Sequence, residues 1–599
     1  MVSRAFKLRF RRRLRLRKRQ VEAFGQQAEE QFDRNFFRRL ERLRGVRRFV
    51  GGWLILMVLL FTCMVVQLRA LSGYYQVLQP TQGGTYTEGI VGSFTNANPI
   101  YATGAFDQAA AKLLFSSLYK YNEKNELVGD LAAGPLEVNE AGTAYTVHLR
   151  KGVTWHDGRS LTADDVLFTY QVIQNPDAQS PLNSSWQGIK ITAVDKYTVT
   201  FTLPNVLASF PYSLTTGIIP KHVLGAVPMA TMRSQAFNTR NPIGSGPFKW
   251  GAIEVLGDSA QTRQEQIALQ RNTDYYLGDP KLSGVVLHSF RSKDDMIASF
   301  QHHELNAMAG LDSMPATLQR DDSVRKYNLP LTASVMTFFR TTTGVLGSQQ
   351  VRQALVRGAD TQSIIKSLRY AATPVTEPFL QRQFAFDPAY AQFGYDPVAA
   401  GSQLLADGWI TGKDGFRYKD GKPLAFQLYA ENTSEYTHVA DMLAKQWKAI
   451  GVKVDIVLQQ SADLQSTLAT HSYDALLYGI SIGADPDVYA YWDSAQADMR
   501  AQNRLNFSEY SSSKISDVAL EAGRTRLDPA LRIVKYRPFL QAWQADAPAL
   551  GLYQPSYLYI TRGPVYGLEE HYINNATDRY SNVQNWMVRQ VLTSQADIK

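Results

Sequence analysis

The sequence predicts an α/β fold, in which helices cover β-sheets, behind one N-terminal membrane-spanning helix. Two patterns predict the α/β part: residues 144–170 show a strand, a turn and a helix, and residues 439–456 show a helix and then a strand. An uncharged apolar run at residues 49–66 predicts the membrane helix. Helices and strands that follow one another in this way are typical of sheets covered by helices.

The N-terminal arm is strongly basic. Residues 1–48 hold 17 Lys and Arg against five acidic residues, a net charge of +12 against +9 for the whole chain, so the remainder carries −3. The positive charge therefore belongs to a tail and not to a face of the folded body, which argues against nucleic acid as a partner. We expect this arm to lie in the cytoplasm.

The run at residues 49–66 is long enough to approach the thickness of a bilayer core. Arg47 and Arg48 precede it, so the positive-inside rule places the N-terminus in the cytoplasm and the rest of the chain outside it. A cleaved signal is a weaker interpretation, because its basic region would be very long and no Ala-x-Ala site follows. Lipidation of Cys63 is another weaker interpretation, because Thr62 stands where a lipidation signal usually has a small residue. Since Cys63 is the single cysteine, no intramolecular disulfide can form.

The pattern at residues 144–170 can be read element by element. Apolar Tyr145 and Val147 alternate with polar neighbours, as in a half-buried strand. Thr162 and Asp165 have the spacing of a capping box, which predicts the start of a helix. That helix would present one apolar face, made of Val166, Tyr170 and Ile173.

The later pattern has the opposite order. Val439, Leu443 and Trp447 recur at helical spacing until Gly451, a residue type that often ends helices. Residues 452–456 then alternate between apolar and charged, which predicts a strand.

Several segments resemble the family 5 extracellular solute-binding proteins of ABC importers, which include oligopeptide, dipeptide and nickel receptors. The segment at residues 144–170 is similar to the family signature in its residues and in the order of its strand, turn and helix. Four more segments resemble family motifs in the same order, within roughly residues 84–560: residues 241–248, 269–282, 351–360 and 404–421.

The resemblance implies a type II periplasmic-binding-protein-like fold of two lobes that close on a ligand. It implies the following division: stalk 67–83, lobe one 84–334 with an extra subdomain at about 115–240, lobe two 335–535, and 536–599 returning to lobe one with the C-terminal segment. The protein would be no enzyme, would need no cofactor or metal, and would bind a peptide. It would deliver that peptide to an ABC permease served by separate ATPase subunits.

The resemblance also implies two cleft segments, from which we expect ligand contacts. The first supplies Ala105, Phe106 and Asp107. The second follows a predicted strand and supplies these residues: Tyr478, Gly479, Ile480, Ser481, Asp485, Asp487 and Trp492.

The sequence departs from the family at one position of the second segment. Peptide receptors of this type commonly place an aspartate three residues before the position of Asp485, where this chain has Ile482. We expect Asp485 or Asp487 to bind the ligand's ammonium group instead; the alternative is that both cap the following helix.

Other functions remain as alternatives. Ile482 motivates a non-peptide ligand, such as a metal chelate or a sugar, on the same fold. A tethered receptor or chaperone without an importer is a third class. Residues 479–483 spell the G-x-S-x-G pattern of hydrolases, but no helix is predicted directly after Ser481, as a nucleophile elbow requires.

Overall fold

The computed structural model describes residues 47–74, 76–257, 263–498, 500, 504–511 and 513–594. The predicted basic arm therefore lies outside the described residues, except for Arg47 and Arg48, and so do residues 595–599. The described chain forms two compact units. One contains the N-terminal helix and strand together with the last strand, and the other spans Pro80–Arg589.

The first unit begins with the helix Arg47–Tyr74. Within it, the 23 residues Arg48–Ala70 are long and apolar enough to cross a membrane. The region predicted as a stalk differs from expectation, since the helix runs on to Tyr74 and the strand Gln76–Thr81 pairs with Arg589–Ser594. Good helix formers such as Gln67 and Leu68 explain the extension.

Lobe one is built on a mixed sheet of seven strands. Its central strand, Thr85–Val91, pairs in parallel with a neighbour on each side, and the outer pairs are antiparallel. The spatial order is Val324–Pro330, Ser556–Arg562, Ala307–Leu311, Thr85–Val91, Gly284–Phe290, Gln264–Arg271 and Phe248–Leu256. The helices Ala105–Leu114 and Lys293–Gln301 pack on this sheet.

An inserted subdomain follows the helix Ala105–Leu114. It has an antiparallel sheet in the order Glu137–Val138, Ala144–His148, Thr198–Thr202 and Lys190–Asp195, and a hairpin of Tyr119–Tyr121 with Leu127–Gly129. Its helices are Ala163–Gln174, Asn183–Trp186 and Lys221–Leu224. The predicted capping box of Thr162 and Asp165 is confirmed, and the predicted apolar face of this helix is buried.

Lobe two has a six-stranded sheet in the order Thr373–Pro374, Ala549–Gln554, Ala333–Phe339, Ala475–Ser481, Ala425–Glu431 and Lys453–Gln459. The last three strands are parallel to one another. A small sheet joins Ile410–Thr411, Arg417–Lys419 and Lys422–Pro423. The helices are Gln349–Arg357, Thr361–Ser367, Pro397–Ala406, Ser434–Ala449, Ser461–Thr470, Tyr489–Trp492, Ser513–Arg524 and Pro529–Asp546. The predicted helix that ends before Gly451, and the strand after it, are confirmed.

The chain crosses between the lobes at two adjacent points. It leaves lobe one at Leu331 and Thr332 and returns at Pro555, and the Leu331 N–H donates to the Pro555 carbonyl at 2.9 Å. The predicted return near residue 535 is wrong. Trp543 lies in the core of lobe two, and the strand Ala549–Gln554 pairs with Ala333–Phe339, so both belong to that lobe.

Candidate functional site

The candidate site lies at the carboxyl ends of the parallel strands of lobe two. Ligands of open α/β sheets bind outside this edge. The strand Ala475–Ser481 ends there beside the crossing between lobes, since the N–H groups of Ile482 and Gly483 both donate to the Thr332 carbonyl at 3.0 Å. The site therefore borders the two crossings between the lobes, at Leu331, Thr332 and Pro555, which we call the hinge.

One edge of the strand Ala475–Ser481 is partly open. Its pairing with Ala333–Phe339 covers all seven residues, but its pairing with Ala425–Glu431 stops at Leu477. Beyond Leu477, residues 478–481 have no neighbouring strand on that side within the described part of the chain; we call residues 478–481 the open edge. Gly479 lies in its middle, and the Tyr436 hydroxyl lies close to the place where a side chain would be.

A cavity of about 330 Å³ lies against the open edge. All four predicted residues of this strand line it, together with Tyr491, whose hydroxyl donates to the Ser481 carbonyl at 2.6 Å. The other lining residues are Gln465, Leu468, Ala469, Arg504, Leu505 and Phe507. The structure thus brings Tyr478, Gly479, Ile480 and Ser481 together at one space.

The predicted residues of lobe one lie differently. Ala105 is exposed, but Phe106 and Asp107 are buried in the core. Asp107 accepts bonds from the backbone N–H of Thr95, at 2.8 Å, and from its hydroxyl. Burial raises the pKa of Asp107, and the bonds from Thr95 oppose that rise. Phe106 and Asp107 therefore hold the loop after the first strand of lobe one and offer no surface to a ligand, contrary to expectation.

Asp485 has a different partner from the one expected. Its two carboxylate oxygens accept from Arg532 at 2.6 Å each, and both side chains are buried. Burial lowers the pKa of Arg532, but the bonds with Asp485 outweigh burial and hold that pKa above its usual range. Because the charge of Asp485 is already neutralised, the expectation that it binds an ammonium group does not fit this structure.

Asp487 connects lobe two to the inserted subdomain. It pairs with Arg524 at 3.2 Å and accepts from the Ser209 hydroxyl at 2.9 Å. The Ala208 N–H donates to the Arg524 carbonyl at 2.9 Å, so two bonds cross between the lobes here. Asp487 also accepts weakly from the Tyr489 N–H at 3.3 Å, at the start of a short helix. Its carboxylate is thus occupied by a cation and a hydroxyl.

Trp492 is a core residue. It is fully buried and packs on Phe338 and Trp543, with ring centroids 5.8 Å away in both cases. The prediction that Trp492 contacts ligand is therefore not supported by its position. The helix that follows the G-x-S-x-G pattern begins only at Tyr489, so Ser481 does not lie on a nucleophile elbow.

The sequence analysis missed a carboxylate at the same sheet edge. Glu435 lies in the first turn of the helix Ser434–Ala449, just after the strand Ala425–Glu431 ends. One oxygen, Oε1, accepts from the hydroxyls of Tyr553 at 2.8 Å and Tyr370 at 3.2 Å. Burial raises the pKa of Glu435, the two hydroxyls lower it, and the charge of Asp312 in lobe one raises it further. The feature of the sequence that could have pointed to Glu435 is its place directly after a strand of the parallel part of the sheet.

The fold and these segments agree with comparisons to known proteins. Residues 126–500 match the model of the family described as bacterial extracellular solute-binding proteins, family 5 Middle, which is more than half of the chain. The chain belongs to this family. As a family member it is a solute-binding protein and not an enzyme, and its fold is the two-lobed type II periplasmic-binding-protein fold.

Individual relatives of this family 5 protein differ in what they bind. The oligopeptide-binding protein AppA of Bacillus subtilis is 27% identical over 89% of this chain and 100% of its own length. Its structure in complex with a nonapeptide has a TM-score of 0.67, with 26% identity over 85% of this chain and 100% of that chain. The structure of NikZ from Campylobacter jejuni in complex with Ni(L-His) has a TM-score of 0.70, with 25% identity over 84% of this chain and 99% of that chain.

Proposed function

We propose that this protein is a membrane-anchored receptor of an ABC importer that binds oligopeptides between its lobes and delivers them to a permease. The open edge at residues 478–481 carries the ligand part of the proposal. An extended peptide laid along it would continue the sheet and pair through its main chain, which makes binding independent of side chains. The nonapeptide bound by the relative AppA supports this ligand class.

The helix Arg48–Ala70 supports anchoring. At 1.5 Å per residue it spans roughly 35 Å, enough for the hydrocarbon core. The basic residues before it favour a cytoplasmic N-terminus, so the binding lobes would lie outside the cell membrane. N-terminal sequencing of the mature protein should begin before Arg47, and a sequence that began at Cys63 or later would contradict the anchor.

The experiment for the ligand compares peptides that differ only in their backbone. The full-length protein in detergent should be stabilised thermally by a mixture of unmodified pentapeptides, because a ligand that binds only the folded state raises Tm. The same peptides with methylated backbone nitrogens should stabilise it less, since they cannot donate to the open edge. Equal shifts from both sets would remove backbone pairing from the proposal.

A metal chelate is the second candidate, because the relative NikZ was solved with Ni(L-His). Within the described ranges, no group of three or more His, Cys, Asp or Glu side chains is placed to hold a metal ion. A nickel–histidine complex should be tested beside the peptides. A thermal shift with the chelate and none with peptides would replace the peptide ligand by the chelate.

A further inference from the structure

The carboxylates of the expected ammonium site are both occupied. Asp485 is neutralised by Arg532, and Asp487 by Arg524. A peptide with a free amino terminus, or with a basic side chain, brings a positive charge into the cleft. Because a closed cleft holds little water, that charge needs a partner there.

Glu435 is a carboxylate at this edge with no cation beside it. Among the described residues, no Lys, Arg or His lies within ion-pair distance of it. Both tyrosine hydroxyls bond to Oε1, and no hydrogen bond to Oε2 is present in the described part of the chain. The residue is half-buried, so it is not sealed inside the core.

The neighbours of Glu435 reach the crossing between the lobes and the open edge. Tyr370, one of its two donors, lies beside the backbone of Ser556, the first residue after the chain crosses at Pro555. The next residue, Tyr436, reaches the open edge, because its hydroxyl would lie 2.8 Å from a Cβ placed on Gly479. Through Tyr370 and Tyr436, Glu435 is thus connected both to the crossing between the lobes and to the strand along which we place the peptide.

Lobe one brings a carboxylate near Glu435, but this carboxylate already has a cation partner, since Asp312 lies 2.6 Å from the Lys293 ammonium. Asp312, at the end of the lobe one strand Ala307–Leu311, is close enough to influence the Glu435 carboxyl electrostatically. Near it, a bond from Arg369 to the Ser313 hydroxyl joins the lobes at 3.2 Å. A cation that enters this region therefore meets Glu435 as the carboxylate without a cation partner among the described residues, and two hydroxyls hold that carboxylate in a fixed orientation.

We propose that Glu435, held by Tyr370 and Tyr553, binds the positively charged group of the ligand, an ammonium or a guanidinium. This inference rests on the proposed peptide-binding function. It assigns to a residue outside both predicted cleft segments the role expected of Asp485 or Asp487.

The test uses four alanine-rich pentapeptides and the full-length protein in detergent. The first has a free amino terminus and a central lysine, the second is acetylated, the third has norleucine for lysine, and the fourth has both changes and no cation. Calorimetric titration gives the affinity of each for the parent protein and for Glu435→Gln. Gln keeps an oxygen that accepts from both tyrosines, so the variant removes charge with little change in shape.

Glu435→Gln should weaken binding of the cationic peptides about tenfold, and leave the peptide without a cation unchanged, because only a charge-assisted bond is lost. Comparison of the acetylated and norleucine peptides shows whether the amino terminus or the side chain is bound. The matched control, Glu140→Gln on an exposed turn of the subdomain, should change none of the four affinities. If Glu435→Gln folds poorly, Glu435→Asp, which keeps the charge, should still prefer the cationic peptides.

Two results separate the failure of the inference from the failure of the proposed function. If the parent binds all four peptides and Glu435→Gln weakens them equally or not at all, Glu435 is not the cation site while peptide binding stands. If the parent binds none of the four, the peptide function is overturned and this inference with it.

Discussion

Asp485 and Glu435 are two carboxylates of the same lobe, and their surroundings give them opposite uses. Asp485 is buried with a guanidinium that donates to both of its oxygens, so its charge is already paired away from any ligand. Glu435 is half-buried, and its described donors are two neutral hydroxyls on one oxygen. Position in a family motif pointed to the first residue, whereas the local balance of charge points to the second.

The largest difference in stability between the two sites should appear when the cation partner of Asp485, Arg532, is removed. Arg532→Met leaves Asp485 buried without a partner, which should lower the free energy of unfolding by about 3–5 kcal/mol. Glu435→Gln removes no cation partner and should cost under about 1 kcal/mol. Urea unfolding followed by tryptophan fluorescence measures both.

A double variant checks the cause of that loss. Adding Asp485→Asn to Arg532→Met removes the unpaired charge and should restore part of the stability. If the double variant is as unstable as Arg532→Met alone, the loss comes from packing of the arginine and not from a stranded carboxylate.

The sequence allowed prediction of features that depend on neighbouring residues. The capping box of Thr162 and Asp165, and the helix that ends before Gly451, follow from spacing alone. The partner of Asp485 lies 47 residues further along the chain, on the helix Pro529–Asp546, and no local pattern shows that the two will meet. The return crossing was placed too early for the same reason, since strand pairing with Ala333–Phe339 decides it.

Glu377 extends the comparison to a carboxylate that has neither a cation nor a hydroxyl partner among the residues that the structure describes. It is fully buried in lobe two and accepts only from the backbone N–H of Asp387, at 3.2 and 3.4 Å, among its described contacts. Burial raises the pKa of Glu377 to about 8, against its bond from Asp387. The folded protein should therefore keep this proton at pH values where the unfolded chain has lost it.

The raised pKa of Glu377 determines how the stability of the protein changes with pH. Between the unfolded pKa of Glu377, 4.5, and the folded value of about 8, stability should fall as pH rises, by up to about 1.4 kcal/mol per pH unit. Glu377→Gln should remove this slope. Unfolding of the parent and the variant from pH 5 to 9 gives the difference, and parallel curves would show that Glu377 is ionised in the folded state.

The variant Tyr553→Phe tests whether the Tyr553 hydroxyl stabilises the charge of Glu435. The Tyr553 hydroxyl is buried and donates at 2.8 Å, so its loss should cost about 1–1.5 kcal/mol of stability. The control Tyr429→Phe removes a hydroxyl bonded to exposed Gln427 and should cost almost nothing. In the Glu435→Gln background the cost of Tyr553→Phe should be smaller, because the acceptor is then neutral. Equal costs in both backgrounds would mean that Tyr553 does not stabilise the charge.

The smallest effect is expected at Ser209, whose hydroxyl joins the subdomain to Asp487 across the cleft. Ser209→Ala removes one of two bonds made there when the lobes are together, and Asp487 keeps Arg524 as its partner. Stability should change by less than about 1 kcal/mol, since the bond is part-buried. Opening of the lobes should become easier, and ligand release faster by roughly threefold, because interface losses act mainly on dissociation.

Stopped-flow release of a fluorescent peptide compares this variant with Ser402→Ala, which removes an exposed bond within one helix of lobe two. Equal release rates in both variants would show that Asp487 serves Arg524 alone and that the contact with the subdomain does not hold the lobes together.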